Sequence, residues 1–256
     1  MPSSQAIILY DFPSTFPGKA CSPNVWKTSR LSLNYKGLPH RTIWVEYPDI
    51  AKVCKEIGAE PTATCPDGSP YYSVPTIYDP STKSVVSESA RIARYLDKTY
   101  PDTPVLIPPG TDAFHAAFNE GFESLALLPS LPLVLPSTPE ALHPESRAYF
   151  RKSREAWLGK KLEEVSLVGH AREEQWKKLA EGYTKMAMWL QMDGRDKLFF
   201  GGDNICYADI TVASFLGALR RSVGADSAEW AAVKEWDGGR WARFMERLDK
   251  YEIVHE

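Results

Sequence analysis

The chain of 256 residues is poor in the residue patterns that mark metal sites, disulfide frameworks and redox pairs. It has four cysteines and five histidines. No two cysteines form a CxxC pair, and none has metal-like spacing with a histidine, so the sequence predicts no metal site. Such sparse cysteine use favours a reducing compartment. The cysteines are Cys21, Cys54, Cys65 and Cys206.

Long hydrophobic runs and blocks of like charge are also missing. The longest apolar stretch, residues 125–135, is interrupted by prolines and is too short to span a bilayer. The N-terminus lacks a basic region, and its apolar run is broken at Asp11, so it is a poor signal peptide. A net charge of −3 gives no basic footprint for nucleic acid or a membrane. We expect a cytoplasmic globular protein that binds neither nucleic acid nor a membrane.

The stretch from residue 71 to residue 97 changes its hydrophobic period in the middle. Residues 71–78 are β-branched and aromatic, a turn follows at Asp79, and a short apolar pair then completes a predicted β-hairpin. Pro75 lies inside the first strand, which requires an edge, a bulge or a cis bond, and composition alone favours trans. From residue 87 the period is helical. Glu88-Ser89 is either an ordinary helix start, with a capping role alone, or an anion site at a helix N-terminus.

The elements before this hairpin complete an α/β pattern. A strand at 6–12, a helix opened by Ser22-Pro23 and stopped at Gly37, and a strand at 42–47 form a βαβ unit. A short helix is predicted at 50–57. After the hairpin and its helix, a proline-rich stretch at 101–109 is typical of a linker, and everything beyond it has a helical pattern.

In the second half, Phe114, Phe118 and Phe122 recur every four residues on one helix face. This face is a packed core surface or, at one edge, the wall of an apolar substrate pocket. Residues 129–144 contain five prolines, which excludes a continuous helix and suggests a lid, a dimer-facing loop or a long connection. Further helices are predicted at 145–165, 172–192 and 204–222, with one or two more in 228–256.

The spacing of the hairpin signals resembles that of a known family. Val74-Pro75 before the hairpin, with Glu88-Ser89 opening the next helix, resembles the glutathione-binding half of cytosolic glutathione transferases. The resemblance implies a cis Pro75, a backbone contact from Val74 to the cysteinyl part of glutathione, and a Glu88-Ser89 clamp on its γ-glutamyl end. Asp209, three residues after Cys206, resembles the structural capping acid of the family's second domain.

The resemblance also implies the architecture and the partners. We expect an α/β thioredoxin-like N-terminal domain at 1–100, a linker at 101–109 and an all-α C-terminal helical domain at 110–256. Glutathione is the expected co-substrate, and a homodimer is the expected assembly. Lys52 or Lys55 is the candidate partner of the glycyl carboxylate, from its position before the hairpin.

The start of the first helix holds the candidate chemistry. Serine at the N-cap with proline after it needs no chemical role. In a thioredoxin-like domain, however, this point faces the residue before the cis-proline, where the glutathione sulfur lies, so Ser22 is the candidate catalytic residue. Residues 22–39 resemble fungal etherase-related transferases, which places Asn24 beside the thiol. Cys21 is the rival, although cysteine-type members carry the cysteine directly before the proline.

These residues lead to one main functional hypothesis and three others. The main one is a glutathione transferase in which a thiolate attacks hydrophobic, aromatic or phenolic electrophiles by conjugation or ether cleavage. The others are a ligandin that carries phenolic ligands, a Cys21-dependent thiol transferase, and a transferase-like scaffold that has lost its chemistry.

Overall fold

The first half of the chain folds around a mixed four-stranded sheet. The computed structural model describes residues 6–255, apart from the side chains of Thr28 and Ser29. The sheet order is β2-β1-β5-β6, with β1 parallel to β2 and the other pairs antiparallel. A separate small pair joins β3 to β4. The strands are β1 (Ile7–Asp11), β2 (His40–Trp44), β3 (Ala63–Thr64), β4 (Pro70–Tyr71), β5 (Thr76–Asp79) and β6 (Ser84–Ser87).

Helices connect and cover these strands in the thioredoxin-like order that the sequence predicts. The first helical stretch consists of α1 (Pro23–Val25), a π-helical segment (Trp26–Arg30) and α2 (Leu31–Lys36). It stops at Gly37, whose φ of 67° is the left-handed conformation expected there. A 3₁₀ turn (Tyr47–Asp49) leads into α3 (Ile50–Glu56), and α4 (Ser89–Thr99) follows the hairpin.

Two predicted strands have different bounds. The second strand is β2 at His40–Trp44 and not 42–47, because Tyr47-Pro48 already belongs to the 3₁₀ turn. The predicted strand at 71–78 is divided, since β4 ends at Tyr71 in the small separate pair and the chain enters the four-stranded sheet only at Thr76. The Val74-Pro75 peptide bond between them is cis, as the family resemblance implies.

A buried ion pair ties the first helical stretch to the sheet. Arg30 Nη2 lies 2.9 Å from Asp11 Oδ2, and both side chains are almost fully buried. Burial raises the pKa of Asp11 to about 6, against the opposing influence of Arg30. The guanidinium carbon lies 5.0 Å from the ring centre of Trp44. These contacts hold the helix that begins after Ser22 in a fixed position against β1.

The second half of the chain is helical. One predicted helix at 145–165 is in fact two, because Gly159 ends α7 with a φ of 68°. The last helix is kinked, with non-helical backbone from Trp236 to Gly239. No helix in the described range is long and apolar enough to cross a membrane. The helices are α5 (Asp112–Phe122), α6 (Leu128–Val134), α7 (Pro144–Leu158), α8 (Leu162–Val165), α9 (Gly169–Trp189), α10 (Tyr207–Val223) and α11 (Ala228–Leu248).

The proline-rich segment is more helical than its composition predicts. It is helical over most of its length, but it changes type, from a π-helical Glu123–Leu127 through α6 to a 3₁₀ segment, Leu135–Ala141. Neither Pro129, in the first turn of α6, nor Pro132, inside it, has an N–H to donate, and the α-helix ends at Val134, after which the chain is 3₁₀-helical. The segment is therefore not one continuous α-helix, but most of it is helical and not a loop, and its role as a lid or at a dimer interface stays a prediction.

Asp209 caps α10 from a fully buried position. One carboxylate oxygen accepts from the Cys206 N–H and the other from the Phe200 N–H, each at 2.8 Å. Burial raises its pKa to about 6, against the opposing influence of these two hydrogen bonds. The geometry agrees with the structural role that the sequence suggests, in which Asp209 compensates for a poor cysteine cap. The division at 101–109 stays a prediction; the chain leaves α4 at Thr99 and enters α5 at Asp112.

Candidate functional site

A cavity of about 470 Å³ lies between the sheet half and the helical half. The sheet half contributes Ser22 and Asn24, together with the aromatic side chains of Phe12 and Tyr47. The helical half contributes mainly apolar residues from the 126–141 segment and from α7, α9 and α10. A hydrogen bond from the Thr15 N–H to the Ala141 carbonyl, 2.8 Å long, joins the two halves at its edge. A volume of this size is typical of sites for small organic ligands.

Ser22 lies on the wall of this cavity with its hydroxyl not used by the helix. It occupies the N-cap position and Pro23 follows at the first helical position, as the sequence predicts. Its backbone carbonyl accepts from the Trp26 N–H at 3.0 Å. Its side chain, however, makes no capping hydrogen bond to the first turn of the described helix. The hydroxyl is therefore available to a ligand in the cavity.

Cys21 also lines the cavity, but its thiol is not in an activating environment. Burial, together with the Asp11 carboxylate, raises the pKa of its thiol to about 12. The lowering influence of Arg30 and Arg221 does not compensate. A nucleophilic cysteine needs the opposite, a pKa lowered toward neutrality. The surroundings of Cys21 thus disfavour a role for it as a thiolate.

The Val74-Pro75 bond and the start of α4 are joined directly. The Glu88 N–H donates to the Pro75 carbonyl at 3.3 Å. Val74 and Cys21 pack against the same apolar cluster. Glu88 also acts on Lys27 of that stretch, where burial lowers the pKa of the lysine to about 8 and Glu88 opposes this. None of Val74, Pro75, Glu88 and Ser89 lines the cavity itself.

Glu88 has an unusual backbone conformation for a residue with a side chain. Its φ is 76° and its ψ is 132°, and it is the N-cap of α4. Its carboxylate accepts from the N–H groups of Ala90 and Arg91, at 2.9 and 3.1 Å, and leaves that of Ser89 uncapped. The Ser89 hydroxyl donates to the same carboxylate at 3.2 Å. Such a backbone costs about 1–3 kcal/mol and is concentrated at functional sites.

The comparisons with known proteins agree with this geometry. Residues 21–99 match the family model described as the glutathione S-transferase N-terminal domain. Residues 113–251 match the model described as the glutathione S-transferase C-terminal domain. The chain belongs to the glutathione S-transferase family.

Three fungal relatives of this transferase illustrate the similarity. The chain is 31% identical to the glutathione S-transferase-like protein ustS of Aspergillus flavus, over 91% of this chain and 86% of that one. A glutathione S-transferase of Ceriporiopsis subvermispora, solved in complex with glutathione, is 52% identical with a TM-score of 0.94 and covers 98% of this chain and all of its own. Glutathione transferase GSTFuA3 from Phanerochaete chrysosporium is 43% identical with a TM-score of 0.93, over 99% and 100% of the two chains.

The two lysine candidates of this transferase lie on the exposed side of α3. Lys55 Nζ lies 5.3 Å from the ring centre of Tyr72, in the segment that leads to the cis bond. Lys52 lies one turn earlier on the same helix. The structure therefore brings Lys55 next to the hairpin segment.

The phenylalanine row does not line the cavity. Phe118 and Phe122 are buried in the main core, where their rings stack at 6.2 Å, and Phe114 is 52% exposed. The packed-core interpretation agrees with the positions of Phe118 and Phe122, whose rings contact Trp189 of α9 and Phe215 of α10, but not with the exposed Phe114. The substrate-pocket interpretation is not supported by their positions.

The sequence did not predict three parts of the cavity wall. These are Tyr47, the residues of the 126–141 segment that line the cavity, and Arg154 of α7. The cluster of prolines was the one signal available for the segment. Tyr47 and Arg154 carry no local signal, since they meet only after the two halves pack together.

Proposed function

We propose that this glutathione transferase uses the Ser22 hydroxyl to stabilise the glutathione thiolate for attack on hydrophobic, aromatic or phenolic electrophiles. The reaction is conjugation or ether cleavage, as in the etherase-related group that the sequence resembles. The observation that carries the proposal is the position of Ser22, on the cavity wall with a hydroxyl that does not cap its own helix.

The energetics of one hydroxyl are sufficient for this role. A thiol with a pKa of about 8.5 must be lowered to about 6.5 to be mostly thiolate at neutral pH, which requires about 2.7 kcal/mol. A hydrogen bond to a charged group contributes about 1.5–3 kcal/mol. A helix N-terminus contributes about 0.3–1 kcal/mol more. Ser22 at the start of α1 supplies both contributions.

The remaining proposed contacts place glutathione between α4 and Ser22. We assign the γ-glutamyl carboxylate to the uncapped N–H and hydroxyl of Ser89, and its ammonium to the Glu88 carboxylate. The Val74 backbone pairs with the cysteinyl part beside the cis Pro75, and Asn24 is a second polar contact near the thiol. A lysine of α3, Lys55 before Lys52, faces the glycyl carboxylate. The electrophile then occupies the apolar cavity, and the protein is a homodimer.

The test is the pH profile of conjugation with 1-chloro-2,4-dinitrobenzene. We expect the profile of kcat/KM for wild type to rise with a midpoint of about 6.5, and that of Ser22→Ala to rise at about 7.5–8.5. Ser22→Thr keeps a hydroxyl and should restore part of the difference. Cys21→Ala is the matched control and should follow wild type. An unchanged profile for Ser22→Ala rejects the serine mechanism.

A ligandin is the second candidate, and the size and apolar lining of the cavity favour it. In that case phenolic ligands bind tightly while conjugation is negligible with every electrophile. Equilibrium binding of a phenol, measured beside turnover, separates the two functions. Light scattering after size-exclusion chromatography tests the homodimer.

A further inference from the structure

The cavity wall carries a guanidinium that has no carboxylate partner in the described part of the chain. Arg154 lies on α7 and lines the cavity together with Phe150, one turn earlier. Its guanidinium carbon is 4.9 Å from the Phe150 ring centre. Its recorded hydrogen bond is a long one, 3.5 Å to the Ser153 hydroxyl. The charge is held against an aromatic face and directed to the cavity side of the helix.

The other two arginines of α7 differ from Arg154 in having carboxylate partners. Arg151 Nη2 lies 3.0 Å from Glu155 and 2.6 Å from Glu163. Arg147 lies 3.5 Å from Glu140. These pairs stabilise the outer surface of the helix, so an unpaired Arg154 is an exception within its own helix.

The groups around Arg154 do not neutralise it. Glu140 is the one acidic side chain that lines the cavity among the described residues, and it is 75% exposed and paired with Arg147. Tyr47 is close enough for the charge of Arg154 to lower its pKa, but burial raises that pKa far more, so the phenol stays neutral. Cys21, next to Ser22, acts on the same phenol. Arg154 and the start of α1 therefore face one shared space.

We propose that Arg154 makes this cavity select aromatic electrophiles that carry a carboxylate or another acidic group. The inference rests on the proposed transferase function. The aromatic ring packs on the apolar wall near Phe150, and its acid pairs with the planar guanidinium, which matches a carboxylate with two parallel hydrogen bonds. Because Arg154 is half-buried and not fully desolvated, the expected preference is about 10-fold rather than 100-fold.

The test uses two electrophiles of the same shape, 4-chloro-3-nitrobenzoate and 4-chloro-3-nitrobenzamide. In both, the thiolate sulfur bonds to the ring carbon and chloride leaves with the electron pair of the broken bond. The readout is the ratio of kcat/KM for the acid to that for the amide. We expect Arg154→Met to lower this ratio about 10-fold and Arg154→Lys to lower it less. Lys152→Gln, an exposed cation of the same helix outside the cavity, is the control.

Each outcome decides the inference. An equal ratio in wild type and Arg154→Met overturns it, provided that thermal melting shows both proteins folded. A rise in the KM for glutathione with both electrophiles also overturns it, because Arg154 then holds a carboxylate of glutathione.

If neither electrophile reacts, the inference is tested by binding alone, and conjugation of 1-chloro-2,4-dinitrobenzene decides the proposed function separately. The two conjugates are prepared chemically, and their affinities for wild type and Arg154→Met are measured by titration calorimetry. A preference of wild type for the acidic conjugate that is lost in Arg154→Met supports the inference. The absence of such a preference overturns it.

Discussion

Replacing Glu88 by alanine and by glycine separates its backbone strain from its side chain. Both variants lose the carboxylate that accepts from the Ala90 and Arg91 N–H groups. Losing an N-cap costs about 0.5–2 kcal/mol. Alanine keeps the unfavourable conformation at a φ of 76°, whereas glycine adopts it freely. The two variants therefore lose the same hydrogen bonds but differ in the backbone strain at residue 88.

The expected magnitudes follow from these terms. Relief of strain favours glycine by about 1–3 kcal/mol, and the greater entropy of glycine in the unfolded chain removes about 0.5–1 kcal/mol of this. Glu88→Gly should therefore be about 0.5–2 kcal/mol more stable than Glu88→Ala and close to wild type. For a protein of this size the difference in Tm between the variants is about 1–8 °C.

The assay combines thermal melting with glutathione binding by titration calorimetry. We expect both variants to bind glutathione about 10-fold or more weakly than wild type, since both lose a charged contact. Glu88→Gly should therefore keep a stability close to that of wild type while its affinity for glutathione falls. The reasoning is refuted if Glu88→Gly melts no higher than Glu88→Ala, because the backbone at this position is then not strained.

Three further predictions concern the cysteine and the packing around the site. Cys21, with a pKa of about 12, should react with iodoacetamide at pH 8 about 40-fold more slowly than an ordinary thiol, measured by mass spectrometry; rapid alkylation revives the cysteine mechanism. Gly182→Ala would place a Cβ against the Leu125 carbonyl oxygen and should cost about 1–3 kcal/mol, whereas Gly121→Ala meets a side chain at 3.4 Å and should melt near wild type. Asp209→Ala leaves two N–H groups without their acceptor and should cost about 2–4 kcal/mol in urea unfolding, and a loss below 1 kcal/mol contradicts its capping role.

Local patterns predicted the elements whose signals lie within a few residues. Strand β1 and the stop at Gly37 follow from an apolar run and from a glycine in a left-handed conformation. The π-helical segment from Trp26 to Arg30 has no such signal, and neither has the ion pair between Arg30 at its end and Asp11 in β1. A local sequence pattern does not predict a contact between residues such as Arg30 and Asp11, which are 19 positions apart.

The same distinction applies to the site. The positions of Ser22, Pro75 and Glu88 were predicted from spacing that a family resemblance made specific. Of the phenylalanine row, Phe118 and Phe122 are buried and Phe114 is 52% exposed, and periodicity does not tell whether a face meets a core or a cavity. Arg154 reaches the cavity only because α7 packs against the Tyr47 turn, more than 100 residues away. No pattern within one helix contains that information.

The ultraviolet absorbance of bound glutathione thiolate tests the central claim most directly. It should be recorded from pH 5 to pH 9 for wild type, Ser22→Ala and Cys21→Ala, with glutathione occupancy checked by calorimetry. We predict a thiolate signal at neutral pH in wild type and Cys21→Ala that is absent from Ser22→Ala and returns only at higher pH. A Ser22→Ala variant that binds glutathione and keeps the thiolate signal at neutral pH would contradict the account.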